Sequence, residues 1–530
     1  MNVNYLLLFL ALGVALTIKE PAAQDTFLVD FGSEHSSGSS CGSYSVPENP
    51  ITRKDYPDQP IVFDHEIHIW GQDYSRSLIY LPAHDREIAP GRFPLAILLH
   101  GRGFDYSEYT SIQRQLAHNG IASISIQYSQ THHESDYDEA AVYEVVDKTL
   151  HNIYANLEDT PNPLYGRVTR FISFIGHSMG GGFAVYSANR VTEEQKHGVK
   201  VRSVMALAPN PQADKEWHLT PDAAQGLLVL FGSDDADTGV NSIWNSGFYL
   251  YDKSGYLRNE YTNNYSKNAF TKSLVYLRNV NHTSYLDGAE SVALDTVIGY
   301  LTAYARWSLL GDPSYRVYFR QQEPLTAKIK TSLLHSEPYR RVLDNFEDSS
   351  VGFNTLGGKN TFKNIEAKND YSVFFPGDSA HHTEALLIKW DHSNDSPELP
   401  RTVFRLPMPL KGHTDDRDLS GFKYLSFRVG QIDDPKTNNP DLDFVIRLSY
   451  LYNKTLHSQT RPLSDFGSVP FPLADGQAAE TKSTMNTVIV PLCAFDQIVF
   501  DEALITAIEF EFTSKGSQSG HIQIDSLELF

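Results

Sequence analysis

Five residues pose the first chemical question: Gly176-His177-Ser178-Met179-Gly180, inside the stretch FIGHSMGGGFAVY from Phe174 to Tyr186. A serine with glycine two positions before and two after it is the pattern of a nucleophile on a sharp strand-to-helix turn. The turn exposes the hydroxyl and presses the flanking positions against neighbouring backbone. Glycine at 176 and 180 removes those clashes. Gly181 and Gly182 would let the helix start pack tightly against the next strand. Glycines otherwise weaken a helix start, so their presence speaks for a need for space. A glycine-rich phosphate loop is the competing pattern, but no G-x-G-x-x-G or GK[ST] sequence accompanies it.

A neutral serine is a weak nucleophile and needs a base. Of the 20 histidines, His282 in NVNHTSYLD stands directly after a strand-like run, at the strand end where α/β sites gather. The base needs an acid to fix its tautomer. FGSDDADTG offers Asp234, Asp235 and Asp237; Asp235, three residues past Gly232, is the first choice and Asp237 the second. The chain order Ser, Asp, His suits this arrangement. Donors for a developing oxyanion are expected from the backbone N–H of Met179, at a helix N-terminus, and of Arg102 in His100-Gly101-Arg102-Gly103, with Gly103 as second choice.

These groups need a frame. EIHIW, RSLIYLP, FPLAILLHG, IASISIQYS, RVTRFISFIG, VRSVMALAP, GLLVLFGSDD and SLVYLRNVNH read as strands. The continuous apolar runs among them suit strands buried on both faces of a parallel sheet. Helical spacing marks Glu108–His118, Asp138–Tyr154 and Val292–Leu310. Strands alternating with helices predict a doubly wound, mostly parallel α/β domain over 61–320. Residues 321–340 read as a linker, with LTAKIKTSLL able to form a short element. From 341 to 530 the period becomes two, as in Ile508-Glu509-Phe510-Glu511-Phe512, and no helical run intervenes. That predicts an antiparallel β-sandwich.

Upstream, the apolar run from Tyr5 to Ile18 is shorter than the roughly 20 residues of a membrane span. With small residues at Ala22 and Ala23 it reads as a signal peptide over 1–23, followed by a Ser/Gly/Pro-rich leader over 24–60. The expected location is therefore secreted or periplasmic. The net charge of −21 argues against a nucleic-acid partner, and no other stretch could span a bilayer. Cys41 and Cys493 are the only cysteines and read as two unrelated thiols. His132, His133, Glu134 and Asp136 cluster in THHESDYDE, but their spacing fits no standard metal-ligand pattern, so a polar loop at the cleft rim is expected. Asn281-His282-Thr283 is a formal glycosylation sequon, and a glycan there would obstruct the proposed base.

Taken in order, LLHGRG, GHSMGGG, LFGSDDADTG and VNHTSYLD resemble the α/β-hydrolase superfamily. With the following YLTAYARWSLLGDPSYRVYF, the likeness is to its dienelactone hydrolase, cutinase-like polyester hydrolase and platelet-activating-factor acetylhydrolase group. The resemblance covers about 60–320 and implies an eight-stranded sheet and ester hydrolysis through an acyl-enzyme, without a cofactor or metal. After Pro209 the chain has Asn210 where that group's polyester enzymes carry a tryptophan. NFED, DLSGFKYLSFRV, TVIVPLCAF and IDSLELF resemble jelly-roll carbohydrate-binding modules. In such modules a calcium can sit near the first and last strands; here Glu347 and Asp525 are read as solvated or capping carboxylates instead.

The expected activity is a serine esterase with Ser178 as nucleophile, His282 as base and Asp235 as its partner. Its substrate would be a carboxylic ester, polymeric or glycan-linked if the C-terminal module binds such material. The same groups would serve a peptidase, thioesterase or acyltransferase, and a non-catalytic binding or adhesion protein is the remaining alternative.

Overall fold

The computed structural model describes residues 46–69, 72–129, 138–155, 162–210, 217–238, 247–255, 270–320, 325–347, 350–373, 383–391, 399–408, 415–474, 481–512 and 518–530. The stretch expected to be a signal peptide, most of the expected leader, Cys41 and the cluster His132, His133, Glu134 and Asp136 lie outside them.

Nine strands form one mixed sheet: β1 (Ile61–Ile69), β2 (Gln72–Leu81), β3 (Phe93–Leu99), β4 (Ala122–Ile126), β5 (Val168–His177), β6 (Lys200–Leu207), β7 (Gly226–Gly232), β8 (Thr271–Leu277) and β9 (Thr331–Ser336). Their spatial order is β1-β2-β4-β3-β5-β6-β7-β8-β9. The run from β4 to β8 is parallel, and β1, β2 and β9 pair antiparallel. All seven residues of β3, β7 and β8 are buried, as their unbroken apolar runs require.

Helices cover both faces. α1 (Thr110–His118) and α5 (Ser291–Leu310) pack Ile112, Leu116, Val297 and Leu301 into one apolar layer. α2 (Glu139–Tyr154), α3 (Met179–Glu194) and α4 (Gly247–Lys253) pack Val146, Phe183 and Phe248 into the other. Asp138 starts α2 as predicted, its carboxylate accepting from the N–H groups of Ala140 and Ala141. The described end of the leader is strapped onto the α1 and α5 layer. Gln115 donates to the Pro50 carbonyl at 2.6 Å, and Arg306 pairs with Asp55 at 2.6 Å.

The expected linker contains a structural element. Thr331–Ser336 is β9, the sheet's edge strand, in register with Leu277–Lys272 of β8. The eight strands implied by the resemblance are thus joined by a ninth.

The C-terminal region is entirely antiparallel. One sheet contains Glu366–Tyr371, Glu384–Asp391, Ser519–Leu529, Tyr424–Gln431 and Asn486–Pro491, with Arg341–Asp344 also paired to Ser519–Leu529. The other contains Asn360–Lys363, Arg401–Arg405, Leu504–Glu511, Val445–Tyr452 and Thr455–Pro462. Both sheets contribute to one apolar core, including Phe427, Ile524, Phe404, Ile446 and Phe510. The alternation in 508–512 holds: Ile508 and Phe510 are buried in that core, while Glu511 takes a two-pronged contact from Arg447 on the opposite face.

Three expectations need correction. Cys493 is disulfide-bonded, not an isolated thiol, and no described cysteine is free. Asp525 is not solvated; it is buried and ion-paired with Arg428 at 2.9 Å. The Glu347 carboxyl is pushed up to about 8, first by burial and then by the charges of Asp525, Asp252 and Glu384. Among the described residues no helix is long and apolar enough to cross a membrane.

Candidate active site

Ser178 sits between the last residue of β5 and the first of α3, with φ 56° and ψ −124°. A β-carbon pays for that positive φ in strain, and the surroundings hold it there. The Ser178 N–H donates to the Leu207 carbonyl at 2.9 Å, and its own carbonyl accepts from the N–H groups of Gly181 and Asn210 at 2.9 Å each. The glycines do what their spacing predicts. A β-carbon on Gly176 would lie 2.0 Å from the Gly180 carbonyl oxygen, and one on Gly180 would lie 2.3 Å from the carbonyl oxygens of His100 and Leu99. Gly181 makes room for Pro209 just past β6, whereas Gly182 makes room for the ring of Trp217.

Asp235 and His282 come together. His282 Nδ1 lies 2.9 Å from Asp235 Oδ2, with both side chains buried. Asp235 Oδ1 accepts from the N–H groups of Asp237 and Thr238, so the carboxylate is fixed at both oxygens. An acceptor at Nδ1 keeps the proton there and leaves the Nε2 lone pair available as a base. Asp237, the second choice, is exposed and contributes only its backbone N–H. The loops carrying acid and base touch so closely that a β-carbon on Gly232 would lie 2.0 Å from the Val280 carbonyl oxygen.

The serine and the base are neighbours through His177. Its ring centroid is 4.8 Å from that of His282, and its Nε2 lies 2.9 Å from the His282 carbonyl oxygen. Among the described residues no hydrogen bond joins Ser178 Oγ to His282; catalytic contacts of this kind often tighten only once substrate is bound.

Behind this pair lies a buried network that residue types alone do not reveal. A carbonyl only accepts, so His177 carries its proton on Nε2 and donates it to His282. Its Nδ1 then accepts from the Tyr109 hydroxyl at 3.0 Å, and that oxygen accepts the Gly101 N–H at 3.1 Å. Burial, reinforced by the neighbouring His282, holds the His177 imidazole down at about 3, and burial pushes the Tyr109 phenol up. Both therefore stay neutral, and the direction of every bond is fixed. Asp287 completes the attachment of the base loop: it accepts from the Thr110 N–H at 2.7 Å and the Ser111 N–H at 3.0 Å, at the start of α1.

Of the expected oxyanion donors, Met179 is the first residue of α3, where an N–H has no acceptor within its own helix. The loop holding Arg102 passes beside the serine: a β-carbon on Gly101 would lie 3.0 Å from Ser178 Cβ. The Arg102 side chain itself is exposed.

Among the described residues one trio could offer metal-ligating atoms, Asp58, His84 and Asp85, within 4.8 Å of one another. His84 and Asp85 lie between β2 and β3 and Asp58 just before β1, and Asp58 already accepts the Asp85 N–H at 2.7 Å. Compared with known proteins, the chain matches no family model and no curated protein.

Proposed function

We propose that this protein is a secreted serine hydrolase of the α/β-hydrolase type, cleaving carboxylic esters through an acyl-enzyme. The observation that carries this reading is the buried 2.9 Å contact between His282 Nδ1 and Asp235 Oδ2, placed beside a serine at φ 56° on a strand end. Ser178 Oγ attacks the ester carbonyl while His282 Nε2 takes its proton. Asp235 holds the imidazole's other N–H and stabilises the imidazolium. The N–H groups of Met179 and Arg102 receive the developing oxyanion, each donor worth about 3 kcal/mol at the transition state. The intermediate collapses, His282 protonates the departing alcohol, and water repeats the sequence to release the acid. Beyond the ester and water, each step uses only groups of the chain.

Export is supported by the disulfide at Cys493, since such bonds persist in oxidising compartments. The two facing antiparallel sheets around one apolar core support the sandwich part of the jelly-roll reading of the C-terminal region.

The test is Ser178→Ala assayed on p-nitrophenyl acyl esters. Turnover should fall by at least roughly a thousandfold, and a fluorophosphonate probe should label the parent protein and not the variant. Undiminished esterase activity in the variant would overturn the assignment.

A further inference from the structure

The loop that presents Asp235 is held from two sides. From within the α/β part, the Ser233 N–H donates to the Leu277 carbonyl at 2.8 Å, the Asp234 N–H donates to the Val280 carbonyl at 3.0 Å, and Ser233 Oγ accepts the Asn279 N–H at 2.8 Å. These bonds tie the acid loop to the loop that leads to His282.

The remaining polar atom of Ser233, its carbonyl oxygen, is taken by the C-terminal region. Lys482, 2% exposed, donates from Nζ to it at 2.6 Å. The Ser233–Asp234 peptide is thereby pinned through its oxygen by Lys482 and through its N–H by Val280, directly before Asp235. The base loop has a parallel tie. Arg278, four residues before His282, donates to Thr484 Oγ1 at 3.2 Å, and Thr484 shares a 2.7 Å hydrogen bond with Ser332 of β9. Lys482 and Thr484 lie on one short stretch that runs into the strand Asn486–Pro491.

We infer that Lys482 is a positioning residue for Asp235, so that the C-terminal region completes the hydrolytic site as well as lying beside it. This rests on the serine-hydrolase reading above. A buried ammonium on a carbonyl one peptide from the acid fixes where that peptide can sit. Sub-ångström control of a catalytic pair is what kcat depends on, whereas ground-state binding of a small ester is not. The contact that carries this role is the one to the Ser233 carbonyl, two residues before Asp235, so Lys482 acts through Asp235.

The experiment uses the full-length protein with p-nitrophenyl butyrate. Lys482→Met keeps the stem and removes the charge; kcat should fall by about tenfold or more with KM changed by less than about twofold. Lys482→Arg, which restores a donor, should recover part of the loss. A folded Lys482→Met with the parent's kcat would overturn the inference, as would equal losses in the Met and Arg variants. Should Lys482→Met not fold, Lys482→Gln, which keeps a polar head without the charge or full reach, replaces it; lower kcat at unchanged KM supports the proposal, and unchanged kcat overturns it. The two readings fail differently. A parent protein that neither hydrolyses the ester nor reacts with a fluorophosphonate defeats the hydrolase assignment, whereas a reactive parent with an indifferent Lys482→Met variant defeats only the role of Lys482.

Discussion

His177 and His282 are joined by a hydrogen bond from the imidazole of the first to the backbone carbonyl of the second, at 2.9 Å. The residue next to the proposed nucleophile therefore grips the main chain of the proposed base. Through Tyr109 the same imidazole reaches Gly101, next to the proposed oxyanion donor. One directed chain of three hydrogen bonds thus spans nucleophile turn, base loop and oxyanion loop.

Removing the central hydroxyl should show this. Tyr109→Phe leaves the Gly101 N–H and His177 Nδ1 without their partner in a buried place, which typically costs about 1–3 kcal/mol per unsatisfied group. The expected outcome is a loss of stability of that order in urea unfolding, with kcat on p-nitrophenyl esters reduced about tenfold or more and no new products.

The assignment of the acid separates two neighbours. Asp235→Asn should lower kcat by several orders of magnitude, because an amide at this place favours the wrong imidazole tautomer. Asp237→Asn should leave kcat within about twofold, since only the backbone of Asp237 is engaged. Equal losses in the two variants would contradict the geometry.

Acid should destabilise the protein through His177. Its pKa is about 3 folded against an ordinary 6.5, so below 6.5 the unfolded chain binds the extra proton first. Stability should therefore fall as pH drops from about 6.5 towards 3, by up to a few kcal/mol from this group. Protonating Nδ1 would also displace the bond from Tyr109. Urea midpoints measured across that range should decline less steeply for His177→Asn than for the parent.

The parts of this site that were legible in the sequence are those fixed by local geometry. Gly176 and Gly180 sit where the turn around Ser178 leaves no room for a β-carbon, so their spacing alone announces the tight turn that carries the proposed nucleophile. Asp235 and His282 follow strands whose apolar runs are plain. Tyr109 and His177 were not legible as partners: 68 residues separate them, and an aromatic residue ahead of a helix reads as ordinary core. β9 was legible only as a short element of unspecified type within LTAKIKTSLL, because TSLLHS is too short to show a period and lies between polar stretches. Lys482 is one of many lysines until the two regions are docked. In the C-terminal region the alternation at 508–512 was clear, whereas Glu366–Tyr371 has no apolar stripe to announce it.

The outer edge of β9 is closed by side chains. The Leu333 N–H donates to Asn486 Oδ1 at 2.9 Å and the His335 N–H to Thr487 Oγ1 at 2.8 Å. Two side chains thus occupy donors to which a further strand could otherwise pair. A chain ending near residue 340 would bare that row, and uncovered strand edges recruit one another from molecule to molecule. The same contact that brings Lys482 to the acid loop therefore guards the nascent sheet against self-association, and a shortened form should be sought in aggregates before its enzymology is judged.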